Sequence, residues 1–163
     1  MADAGFVESS VEMEEMLRRE AWGCLGVSTA DRDPYVVPVN YAYVGGKILF
    51  HCGLEGKKLD CIRANPNVCF TVASQPGAVR EHPGGRPCHV DSDSVICYGE
   101  ARIVEDVQER ADLLSRFNRA FRPGAEDVAT DRAVGCGVVE ITVREMTGRR
   151  ERADQRTLWR YIP

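Results

Sequence analysis

No stretch of this sequence approaches the roughly 18 uninterrupted apolar residues of a membrane-spanning helix, so none is expected. No G-x-G-x-x-G follows the first strand-like run and no G-x-x-x-x-G-K-[ST] occurs, which leaves dinucleotide-fold and P-loop readings unsupported. A G-x-S-x-G elbow, an H-E-x-x-H helix and a paired-carboxylate signature are also missing. Positive charge is not in excess. Twenty-one Lys and Arg against 25 Asp and Glu give a net charge of -4, which argues against a non-specific nucleic-acid binder. The seven cysteines (24, 52, 61, 69, 88, 97 and 136) are odd in number and never spaced C-x-x-C, so neither a disulfide framework nor a standard zinc site is expected. Cys24, Cys69, Cys97 and Cys136 lie in apolar runs, where a reduced thiol acts as a small hydrophobe. The acidic start "MADAGFVESSVEMEEM" lacks a charged-then-apolar signal pattern, and a cytoplasmic protein is the expectation.

What is there is ordinary for a globular chain: 163 residues, 44% apolar and 28% charged, enough for one domain spanning 1–163 with a real core. Residues 1–22 read as a helical lead-in, because Ser9 and Glu12 have capping-box spacing and Val11, Met13, Met16 and Leu17 follow at helical intervals, ending near Gly23. "CLGVST", "YVVPVNYAYV", "KILFHC", "NVCFTVAS", "SVICYGEARIVED" and "CGVVEITVREMTG" read as strands, and "VGGK" as a hairpin turn. Pro38 cannot donate to a ladder and marks an edge, a bulge or a place where pairing gives way, while Gly99 marks a bulge or close approach. "EGKKLDCIRANP" reads as a short helix with Leu59 and Ile62 inward, stopped by Asn65-Pro66. "VQERADLLSRFNRAF" reads as an amphipathic helix with Ala111, Leu114, Phe117, Ala120 and Phe121 on one face. Residues 75–93 have almost no apolar periodicity and read as a long loop; residues 148–163 read as an arginine-rich tail carrying Trp159 and Tyr161. About six strands and two or three peripheral helices, joined by hairpin-type turns, predict a mainly β, antiparallel barrel.

The chemistry concentrates in "FHCGLEGKK". A helix start carries unpaired N–H groups and partial positive charge, so two lysines there are unfavourable unless an anion sits between them. Gly56 lets the backbone come close, and Lys57 and Lys58 supply charge, which suits a phosphate monoester. The alternative is that both lysines are solvated and Gly56 only turns the chain. His51 ends the strand leading into this turn, where either a structural or a catalytic histidine fits. His82, Cys88 and His89 match no zinc spacing, and no metal is expected. The Arg144–Arg160 cluster reads as a solvated strand end or subunit contact, given the acidic total. Glu55 and Asp60 read as surface residues.

The ordered set "PYVVPVNY", "FH-x-G-x-x-GKK-x-D-x-I-x-x-NP-x-V" and "SV-x-x-x-G-x-A" resembles the split-barrel flavoproteins related to pyridoxamine 5'-phosphate oxidase, nearest their nitroimidazole-resistance-type subfamily. The resemblance runs from about Leu17 to Thr142. It implies an FMN-binding split barrel, usually a homodimer with flavin between subunits. By that likeness Val37, Pro38, Val39 and Asn40 would lie along the isoalloxazine ring, and Pro38 would mark the sheet opening that admits it. His51 would sit near the flavin as a proton donor or ring-side contact. Gly56, Lys57 and Lys58 would hold the phosphate, with Ser94 and Val95 contributing. The implied activity is FMN-dependent reduction of a small, nitroaromatic-type acceptor with electrons from NAD(P)H. Non-catalytic flavin storage or sensing is the alternative, as is haem binding on the same barrel with His51, His82 or His89 as axial ligand. Cys52 stands where small hydroxyl residues are frequent in that family.

Overall fold

The structure, a computed structural model, describes residues 6–75, 79–82, 86–152 and 155–163, with the backbone alone for 79–82 and 86–90. Along the chain the elements are β1 (Val7–Glu8), α1 (Val11–Arg19), β2 (Trp22–Ser28), β3 (Pro34–Asn40), β4 (Ala42–Val44) and β5 (Lys47–Cys52). Next come α2 (Lys57–Ala64), β6 (Asn67–Ser74), β7 (Val79–His82), β8 (Arg86–Val90) and β9 (Ser92–Ile103). The chain finishes with α3 (Val107–Phe121), α4 (Thr130–Ala133), β10 (Gly137–Arg152) and β11 (Gln155–Tyr161).

Nine strands form one sheet in the order β1-β11-β10-β9-β6-β2-β3, with β5 joining β10 and β4 joining β5. All pairs but β1–β11 are antiparallel, so the expected antiparallel barrel with peripheral helices holds. The 16-residue β10 is the spine. One of its edges pairs with β9 throughout, while the other takes β5 along Gly137–Thr142 and β11 along Met146–Arg152. A bulge between Val143 and Glu145 marks the changeover, opposite Gly99. A Cβ on Gly99 would lie 2.5 Å from the Thr142 carbonyl oxygen, so this glycine is demanded by close approach, as its sequence position suggested. Among the described residues β3 pairs only with β2, and β4 only with β5, leaving the barrel split between them.

The interior is filled by Leu25, Ile48, Phe50, Phe70, Val95 and Ile141, with Met13, Met16 and Leu17 of α1 and Leu59 and Ile62 of α2 packed onto them. Side chains of this size contribute about 1.5–3 kcal/mol each on full burial, which outweighs the weak intrinsic stability of short helices such as α2. A second layer packs Ala111, Leu113, Leu114 and Phe117 of α3 against Leu49 and Val138 on the outer face of β5 and β10. α3 starts where the Asp106 carboxylate accepts from the Glu109 N–H at 2.8 Å, and it stops at Phe121 because Arg122, the residue before Pro123, is extended.

Several expectations are corrected. The strands number eleven among the described residues, not about six. Residues 75–93 are not a plain loop: β7 and β8 pair as a separate two-stranded sheet. The run "YVVPVNYAYV" breaks at Tyr41, whose N–H turns to the Ala21 carbonyl. The arginine-rich end is no loose tail, since residues 148–152 continue β10 and 155–161 form β11, with Trp159 buried in its own domain under the Arg150 guanidinium. α1 ends at Arg19, before Gly23. Ser9 donates to the Glu12 carboxylate at 2.6 Å rather than capping the backbone, and Val11 is exposed. Ala120 and Phe121 are exposed, Phe121 resting on the Phe117 ring rather than in the core. The connection after α3 holds the short α4. No helix of the described residues is long and apolar enough to cross a membrane.

Candidate functional site

β3 and the start of α2 are joined through one side-chain contact, the Lys57 ammonium over the Tyr35 ring. The β2–β3 register runs unbroken through Cys24↔Pro38 although Pro38 has no N–H. Pro38 therefore sits at a non-hydrogen-bonded position, and the carbonyls of Val36 and Pro38 point away from β2, toward the open side. Tyr35, Val37 and Val39 turn inward against the core, while Val36 and Pro38 are exposed on the outer face. The Asn40 amide donates to the Ala21 carbonyl at 2.6 Å, fixing the end of the strand.

α2 begins at Gly56, whose φ of 133° and ψ of 161° belong to a region essentially restricted to glycine. Nothing lies within 4 Å of a Cβ built there, so the glycine serves backbone conformation and the space beside it is open. The Gly56 carbonyl accepts the N–H groups of Leu59 and Asp60 at 2.8 and 3.2 Å, and no side chain caps the helix. The N–H groups of Lys57 and Lys58 have no acceptor among the described residues. Neither ammonium makes an ion pair there, although Asp60 is near in sequence, because Asp60 is engaged by Arg63 at 3.0 Å.

The two lysines diverge. The Lys57 ammonium lies over the Tyr35 ring, 4.6 Å from its centroid, which ties α2 to β3. Lys58 is half-buried and acts on Cys52 at the end of β5. Burial pushes the Cys52 thiol above its ordinary range, Lys58 pulls it back, and Cys136 pushes it up again. Cys52 packs on the barrel interior and Cys136 on the α3 layer, so the two thiols lie on opposite faces of the sheet.

His51 is exposed and turned toward α3, its ring edge-to-face with Phe117 at 4.9 Å and 82°. Ser94 lies on the outer face of β9, separated from β3 by β6 and β2, about 14 Å at ordinary strand spacing. Val95 is wholly buried in the barrel interior. Within one chain, then, Lys57 meets Tyr35 of β3 and Lys58 lies near Cys52 of β5, His51 turns to the α3 face, and Ser94 and Val95 stand apart. The side chains of His82, Cys88 and His89 lie outside the described residues, and no metal-type cluster occurs among the described ones. Sequence reasoning missed Tyr35, a contact between separate elements that no local spacing announces.

Two ammonium groups without an ion pair and two N–H groups without an acceptor, among the described residues, mark a candidate anion site on a split barrel. The chain belongs to the pyridoxamine 5'-phosphate oxidase family, whose model matches residues 9–150. It is similar to a protein of Bacteroides thetaiotaomicron assigned as a candidate 5-nitroimidazole antibiotic resistance protein: TM-score 0.76, 25% identity, over 87% of this chain and 84% of that one. An FAD-binding protein of Mesorhizobium loti superposes with TM-score 0.63 at 23% identity over 88% and 96% of the two chains. A flavocytochrome of Azotobacter vinelandii gives TM-score 0.77 at 15% identity over 94% and 78%. Those two likenesses speak to the fold. An uncharacterized protein of Rhizobium meliloti is 31% identical in a match covering 36% of this chain and 46% of that protein, so the match spans about half the length of this curated relative.

Proposed function

We propose that this protein binds FMN at the α2–β3 opening and acts as an oxidoreductase, taking electrons from NAD(P)H and reducing a small acceptor of nitroaromatic type. The observation that carries the reading is the pair Lys57 and Lys58, unpaired among the described residues, at a helix start whose first N–H groups are free. A phosphate monoester is a group that accepts both from helix-start N–H groups and from ammonium groups. The residues fit the rest of the cofactor as well. The open edge at Val37–Asn40 offers main-chain carbonyls to a planar ring, and Gly56 leaves the space beside the phosphate clear. FMN when bound would supply hydride and electron transfer; the chain binds, orients and shields it. His51, exposed at the end of β5 on the face toward α3, would have to turn from Phe117 to donate a proton or contact the ring.

A homodimer belongs to the same reading. The outer face of β2, β3, β6 and β9 exposes Trp22 (65%), Val36 (62%) and Tyr98 (46%), an apolar surface suited to a second copy. Ser94 on this face would reach a flavin only across such an interface.

The test is the visible spectrum of the purified protein and of the supernatant after acid denaturation. Two flavin bands passing into the supernatant are expected, followed by bleaching on anaerobic addition of NADH or NADPH. A Soret band would turn the reading to haem. The double variant Lys57→Ala/Lys58→Ala should weaken FMN binding by about 10- to 100-fold or more, as for the loss of charge-assisted phosphate contacts. Unchanged affinity in a fluorescence titration removes the phosphate site.

A further inference from the structure

We infer that Tyr35 is a positioning residue for the ligand's phosphate, holding the Lys57 ammonium in place through its ring face without neutralising it; this rests on the flavin reading above. The ammonium stands 4.6 Å from the ring centroid, inside the distance at which a cation is attracted to an aromatic face. The platform is stiff. Tyr35 packs against the barrel core, and its strand is fixed by seven consecutive pairs with β2, from Trp22↔Asn40 to Ser28↔Pro34.

A lysine on four rotatable bonds loses much freedom when it closes on an anion, and a partner that already restrains it reduces that loss. A carboxylate could restrain Lys57 equally well, but it would cancel the charge and compete with the phosphate. A neutral ring does neither. The absence of any ion pair to Lys57 among the described residues fits this role. Lys58 has no such ring among the described residues; it is half-buried and lies near Cys52. The Tyr35 hydroxyl makes no hydrogen bond among the described residues, so the ring face rather than the hydroxyl carries the contact.

The experiment measures FMN and riboflavin affinity by flavin fluorescence for the full chain and for Tyr35→Leu, Tyr35→Phe, Lys57→Met and the Tyr35→Leu/Lys57→Met double variant. Tyr35→Leu should weaken FMN about 3- to 30-fold while leaving riboflavin, which lacks the phosphate, unchanged. Tyr35→Phe should stay within about twofold of the parent, since a phenyl ring also attracts a cation. Once Lys57 is Met, removing Tyr35 should cost FMN nothing further. Equal FMN affinity in Tyr35→Leu overturns the inference, as does an equal loss of riboflavin, or a loss in Tyr35→Phe as large as in Tyr35→Leu. A parent protein that binds neither flavin overturns the underlying reading and the inference together, and is told apart by the parent sample alone. If Tyr35→Leu does not fold, Tyr35→Phe and Lys57→Met decide: Phe must keep FMN, and Met must lose it while sparing riboflavin.

Discussion

Asp93→Asn should lower the stability of the protein sharply at neutral pH and progressively less in acid. Asp93 opens β9, and its side chain is 1% exposed. It accepts from Arg150 at 2.9 Å, from Arg152 at 2.8 Å and from Arg19 at 3.5 Å, so one carboxylate ties α1, β9 and β10. Burial alone would raise its pKa, but the guanidinium hydrogen bonds and charges outweigh burial, and the net shift is downward. Breaking a fully buried ion pair costs about 3–5 kcal/mol because the partner charge is stranded. Here the guanidinium side chains are a third to a half exposed and can rehydrate, so we expect about 2–3 kcal/mol. For a chain of this length that is a fall of about 5–10 °C in Tm, read by circular dichroism. A depressed carboxylate contributes stability above its unfolded pKa of about 3.9 and loses it as pH falls through the folded value. The gap between parent and variant should therefore be full at pH 7 and shrink below about pH 4. Equal melting at pH 7, or a gap that stays constant into acid, refutes the argument.

Two further outcomes follow from contacts already described. A Cβ on Gly23 would lie 2.2 Å from the ring tip of the buried Phe70, so Gly23→Ala should cost about 1–3 kcal/mol by overpacking, seen as a lower urea midpoint with unchanged slope; a parental midpoint would mean that the ring swings aside freely. His51→Ala gives up only an exposed edge-to-face contact with Phe117, so about 1 kcal/mol of stability or less should be lost and FMN retained, while NAD(P)H turnover changes; parental kinetics would reduce His51 to a packing role.

The parts of the fold legible in the sequence were those with one strong local signal. β6 and α3 have the bounds that alternation and helical spacing predict, and α2 stops at Asn65-Pro66 because the residue before proline disfavours helix. β11 was not legible, since Arg156 and Arg160 give its outward positions a charge density that reads as a tail, and only Trp159 turns inward. The β7–β8 pair was hidden by the Gly and Pro content of its surroundings. At the candidate site, Gly56, Lys57 and Lys58 are neighbours in sequence, so spacing alone singles them out. Tyr35 was not, because 22 positions separate it from Lys57 and only the third dimension joins them.

A strand with one unpaired edge invites accretion by any other extended chain. β3 has that exposure: seven residues with β2 on one side and no strand on the other among the described residues. Pro34 and Pro38 both lack an N–H at positions where β3 faces away from β2, so an incoming strand meets a broken row of donors. The two prolines thus guard the edge against aggregation. Replacing Pro38 with valine, the type that flanks it on both sides, would restore a donor beside that of Val36 and make the protein more prone to self-association.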